Sequence, residues 1–198
     1  MLLYWTVART VQFSEFCDGF DRRDPSVESL EFLDNYPLYR RPIYYLHGAL
    51  HLYESGKSCH KLQSSRNNDR ILQQIGRNLD KGTLPLIVTE GGMKEKEMRI
   101  TSSRYLAHCH KKLSEVPENL CTYGFSASEN DMHVLRAVLR SKDLRTIYFG
   151  IYDCEVGAVE HARSMLKHCM REHRSSELPK VDVKYYDSKS VPFWNGGH

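Results

Sequence analysis

His47 closes a short aromatic and β-branched run, Ile43-Tyr44-Tyr45-Leu46-His47, whose composition predicts a strand. Ligands gather at the carboxyl ends of strands in open parallel sheets, so a histidine there is placed for proton transfer near neutral pH. Gly48, directly after it, would let a ligand approach the main chain. The plainer alternative is a histidine hydrogen-bonded to a loop carbonyl. A second spot is Gly124-Phe125-Ser126-Ala127-Ser128-Glu129-Asn130-Asp131, read as a strand, a glycine-serine turn and a helix. Free N–H groups at such a helix start, with the Ser126 and Ser128 hydroxyls beside them, suit a phosphate or a ribose hydroxyl. A simple helix cap by Ser128 or Asn130 explains the same residues equally well.

Two further turns follow predicted strands. Thr89-Glu90-Gly91-Gly92-Met93-Lys94-Glu95-Lys96 allows a tight loop with lysines for phosphate, although a solvated charge run is the commoner explanation. Tyr152-Asp153-Cys154-Glu155 could face adenosine or cap the last helix. Metal ligation is not expected. His108-Cys109-His110 is dense and Cys169 stands four residues before His173, but no two ligand pairs have the spacing of a closed zinc site. The 6 cysteines are widely spaced and form no Cys-x-x-Cys pair, so reduced thiols are expected, and without a sequence-adjacent base neither Cys17 nor Cys154 is expected to be a catalytic thiol.

The elements that must position these residues alternate between strand and helix periods, which predicts βα units and a mainly parallel sheet. Predicted strands are 43–47, 84–89, 120–124, 146–151 and 181–186. Asn67-Asn68-Asp69 caps a helix carrying Ile71, Leu72, Ile75 and Leu79 before Gly82; Ser102 and Ser103 cap a second, with Leu106 and Leu113 inward. Ser128 opens a third with Met132, Leu135, Val138 and Leu139, and 155–174 forms a fourth with Val159, Ala162, Met165, Leu166 and Met170. Leu3, Val7 and Val11 share a helical face at the start, while 18–41 and 54–66 read as loop excursions.

With 198 residues, 40% hydrophobic and 27% charged, one globular domain over 1–198 is expected. A formal net charge of +3 with scattered basic residues gives no reason to expect nucleic acid. No run nears the roughly 20 apolar residues of a membrane span. The apolar start has neither a basic flank nor a small-residue cleavage site, which points to a cytoplasmic protein.

His47-Gly48, then Gly124-Phe125-Ser126, then Asp131 resembles the sirtuin-like superfamily, and within it a bacterial sirtuin-like domain family of unknown function. The similarity runs through Tyr44-Tyr45-Leu46-His47-Gly48-Ala49-Leu50-His51-Leu52 and Pro85-Leu86-Ile87-Val88-Thr89-Glu90-Gly91, and extends from Met1 to the last strand. It implies a three-layer, Rossmann-like α/β fold with a mostly parallel sheet, binding of NAD or a related nucleotide, and cleavage of the bond between nicotinamide and ribose. It implies His47 as a base near the nicotinamide ribose, Gly48, Gly124, Phe125 and Ser126 at the dinucleotide, and Asp131 as organiser of that turn. The family's glycine-rich phosphate loop and its Asn-Tyr-Asp-like motif precede a helix that begins Leu-Leu-Tyr-Trp. Here Leu2-Leu3-Tyr4-Trp5 follows Met1 directly, so an N-terminally incomplete domain with weak or no NAD turnover is expected. Among family activities, which include NAD depletion in phage defence, hydrolysis fits better than deacylation because no zinc ribbon is present. The competing expectation is a non-catalytic interaction module that completes its sheet with a partner protein or a second copy.

Overall fold

Gly56 and Lys57 form a two-residue connection in which Gly56 takes φ +60°, the backbone that a type II′ hairpin turn needs at its first central place. They join β4 (Gly48–Ser55) to β5 (Ser58–Leu62), which pair antiparallel from Ser55 with Ser58 to Leu52 with Lys61. The segment predicted as a loop excursion over 54–66 is thus largely a hairpin. The computed structural model describes residues 16–20, 29–34, 41–63, 70–88, 91–152 and 156–191. The initial helix predicted around Leu3, Val7 and Val11 lies outside them, as do Asn67 to Asp69.

The chain divides into two compact units: Met1–Glu90 with Glu95–Cys109, and Gly91–Lys94 with His110–His198. In the first, β2 (Ser29–Glu31), β5, β4 and β6 (Pro85–Ile87) form an antiparallel sheet in that order. The short strands β1 (Phe16–Cys17) and β3 (Arg41–Pro42) pair parallel beside it in sequence. Of the excursion predicted over 18–41, the described residues Ser29–Glu31 and Arg41 lie in strands, with Phe20 bridging Phe32 and Leu30 buried. Helix α1 (Ile71–Asp80) buries Ile75 and Gln74 but leaves Leu72 and Leu79 exposed. Its cap is Arg70, whose N–H donates to Gln73 Oε1.

Helix α2 (Met93–Ser102) replaces the charged loop expected there, and Glu95 in its first turn suits the positive helix end. Helix α3 (Arg104–Leu113) follows, with the Leu106 N–H donating to Ser103 Oγ as the sequence predicted. Tyr105, Leu106 and Cys109 pack with Phe20, Phe32, Leu52 and Leu86 in the core of this unit. Phe32 and Tyr105 meet edge-on at 4.8 Å between ring centroids.

The second unit has the expected alternation. Strands β7 (Asn119–Thr122), β8 (Thr146–Ile151) and β9 (Asp182–Asp187) pair in parallel, in that order. Helix α4 (Met132–Val138) joins the first two and α5 (Val156–His173) the last two. Ile147, Phe149 and Ile151 alternate inward and meet Leu135, Val138 and Leu139, together with Ala162, Leu166 and Cys169 of α5. Arg174, just past α5, donates to the carbonyls of Leu139 (2.8 Å), Ser141 (3.1 Å), Leu144 (3.2 Å) and Pro179 (2.7 Å). One guanidinium thereby satisfies acceptors at the end of α4 and in the loop after it. The molecule is a mixed α/β fold with parallel and antiparallel sheets, not one mostly parallel sheet. No helix among the described residues is long and apolar enough to cross a membrane.

Candidate functional site

The carboxyl ends of β7, β8 and β9 open on a cleft of about 410 Å³. That volume lies within the range of small-molecule sites. Phe125 and Phe149 supply its aromatic wall, with ring centroids 6.1 Å apart, and Ile151, Ala158 and Ala162 complete the apolar lining. Polar groups come from Ser126, Ser128, His161 and Ser188. Ala158, His161 and Ala162 stand in the first two turns of α5, so the positive end of that helix dipole borders the cleft.

The turn leaving β7 is shaped by two left-handed residues. Gly124 takes φ +66° at no steric cost, whereas Ala127 takes φ +52° with its methyl fully buried in the core. A non-glycine residue held in this region costs on the order of 1–2 kcal/mol, and such positions gather at ligand sites. The N–H groups of Phe125, Ser126 and Ala127 make no hydrogen bond among the described residues. Below them, Ser128 Oγ donates to Asp131 Oδ2 at 3.3 Å and the Asp131 N–H donates to the Ser128 carbonyl at 3.0 Å. Asp131 does not line the cleft; it holds Ser128, which does.

A cross-strand latch lies beside the same turn. The Tyr186 hydroxyl donates to the Thr122 carbonyl at 2.7 Å and accepts from the Cys121 thiol at 3.4 Å. The Gly150 N–H donates to Thr122 Oγ1 at 3.2 Å. A Cβ on Gly150 would lie 2.6 Å from the Thr122 carbonyl oxygen and 2.7 Å from the Tyr186 hydroxyl, so the absent side chain is what lets the ring cross β8. Burial, reinforced by Cys121, pushes the Tyr186 phenol up to about 12, so it remains a donor throughout the physiological range.

Gly124, Phe125 and Ser126, singled out in the sequence, all line this cleft. His47 and Gly48 belong to the first unit. The expected strand over 43–47 is absent: Leu46 and His47 form a turn, and β4 begins at Gly48 as an antiparallel strand. The turn arises because the Gly48 N–H donates to the Tyr45 carbonyl at 2.9 Å with φ +74°. A Cβ there would stand 1.9 Å from the Leu86 carbonyl oxygen, so the close approach made possible by Gly48 is that of β6. The His47 carbonyl accepts from the Val88 N–H at 2.9 Å.

Tyr152 lines the cleft with Lys189 Nζ 5.9 Å from its ring centroid, while Asp153 to Glu155 fall outside the described residues. His161, Ser188, Phe149 and Gly150 were not foreseen as site residues. An isolated glycine inside the β8 pattern was the one local signal, since it marks close approach of another group. Cys109 and Cys169 are buried, and burial pushes both thiols up to about 11.

The chain belongs to the family described as a domain of unknown function, DUF4917, whose model matches residues 1–194. No curated protein and no solved structure matches it.

Proposed function

We propose that this member of the DUF4917 family binds NAD or a related nucleotide in the cleft at the ends of β7, β8 and β9, as a Rossmann-like domain of sirtuin-like type. The observation that carries this reading is an aromatic cleft at the carboxyl ends of parallel strands, bordered by unused main-chain donors and serine hydroxyls. Phe125 packs against the base, the N–H groups of Phe125 and Ser126 face phosphate oxygens, and Ser126 meets a ribose hydroxyl. The start of α5 adds a favourable field for the anion.

Cleavage of the nicotinamide–ribose bond is the family chemistry implied by the resemblance. His47 matches the base of that chemistry by the resemblance alone. Two measurements on the full chain separate binding from turnover. Calorimetric titration with NAD should show saturable binding that Phe125→Ala weakens about fivefold or more, since base–aromatic packing contributes on the order of 1–3 kcal/mol. Absence of saturable binding, or binding indifferent to Phe125→Ala, would overturn the cleft assignment. Nicotinamide release abolished by His47→Ala would identify a hydrolase. Intact binding without release would leave a nucleotide-binding module.

A further inference from the structure

Tyr186 touches no cleft surface, yet it reaches from β9 across β8 to the last residue of β7. Thr122, whose carbonyl it holds, lies two positions before Gly124, where the chain turns into the cleft rim. Gly150, over which the ring passes, lines the cleft with its own backbone. Displacing the Thr122 carbonyl shifts the departure angle of the turn and the aim of the N–H groups that follow. A site of this kind loses affinity when its donors move by an ångström or less.

We propose that Tyr186 is a positioning residue for the cleft ligand, acting through the Thr122 carbonyl and dependent on the absence of a side chain at Gly150. The inference rests on the nucleotide reading of the cleft. It assigns a ligand-directed role to a hydroxyl on the third strand, 64 residues from its acceptor.

The test uses the full chain, with NAD as probe. Tyr186→Phe removes the hydrogen bond and keeps the ring; Gly150→Ala keeps the hydroxyl but displaces it. Each variant should bind NAD about fivefold more weakly, the equivalent of one net hydrogen bond. The double variant should be no weaker than the weaker single one, because both act through one latch. In ligand-free spectra of Tyr186→Phe, the amide resonances of Phe125 to Ala127 should shift while those of α4 stay in place. A purely structural hydroxyl would lower the melting temperature without this pattern.

Wild-type affinity in Tyr186→Phe, or strictly additive losses in the double variant, would overturn the inference. If the wild-type chain binds no NAD, the nucleotide reading fails and the ligand role of Tyr186 fails with it. Unmoved Phe125 to Ala127 amides in Tyr186→Phe would separately refute the latch itself.

Discussion

The two units differ in how they hold their polar groups. The first encloses them: Lys61 and Asp18, each with a side chain only 2% exposed, form an ion pair, and Lys61 Nζ also lies 5.2 Å from the Phe20 ring centroid. His51 is buried beside them. The second unit has a largely aliphatic and aromatic core, with His133 and Ser141 also buried, and at the end of β7 the N–H groups of Phe125 and Ser126 have no partner among the described residues. Polarity that is enclosed and paired supports a fold, because removing one partner strands the other. Polarity held at strand ends with unused donors is available to a ligand. The candidate site therefore falls in the second unit, although the first holds the more unusual side chains.

Breaking the enclosed pair should have the largest effect. Asp18→Ala leaves Lys61 charged and buried, with an expected loss of about 3–5 kcal/mol in denaturant unfolding, whereas Asp18→Leu with Lys61→Met should recover most of it. Equal stability of Asp18→Ala and the wild type would show that the first unit does not depend on its enclosed charges.

The pH dependence follows the same contrast. Burial, with the Lys61 charge assisting and Asp18 opposing, lowers His51 to about 4 from an ordinary value of 6.5. Between these values the unfolded chain takes up a proton that the folded chain refuses. The stability contributed is fully present above about pH 6.5 and is lost as pH falls toward 4, about 3 kcal/mol in all. Denaturant midpoints measured from pH 7 to 4 should show this slope, and His51→Gln should flatten it.

In the second unit the comparable anchor is Arg174. Arg174→Ala leaves the Leu139, Ser141, Leu144 and Pro179 carbonyls without this donor, at an expected cost of about 2–3 kcal/mol. Hydrogen exchange should quicken in α4 and in the strands of the second unit more than in β4 and β5. Uniform acceleration across both units would deny them separate stability.

The smallest effect concerns the thiols. Burial raises Cys59 to about 12 and Cys109 and Cys169 to about 11, whereas Cys121 is exposed. At pH 8 a disulfide reagent should label Cys121 while these three wait for unfolding. Fast reaction of Cys109 or Cys169 in the folded chain would contradict the packing of the cores.

Legibility differed between the units for a physical reason. β8 was readable residue for residue and β9 to within one position, because buried alternation between helical stripes has few alternatives. The stripe of Met132, Leu135, Val138 and Leu139 is buried as predicted. In the first unit, the Tyr44 to His47 run has strand composition, yet composition does not distinguish a turn before an antiparallel strand from the end of a parallel one. The Gly56-Lys57 turn was visible in principle, since a glycine-led pair between two alternating runs is a hairpin signal.

By itself the sequence determined the α/β alternation of the second half, the glycine-serine turn after β7 and the three residues it presents, because these depend on local periodicity and backbone freedom. Tertiary structure alone decided that His47 precedes an antiparallel strand, that Asp18 meets Lys61 and that Tyr186 reaches Thr122. These pairings join residues 43 and 64 positions apart in the last two cases. No local pattern encodes them, since they exist only once strand order and register have brought distant side chains within hydrogen-bonding reach.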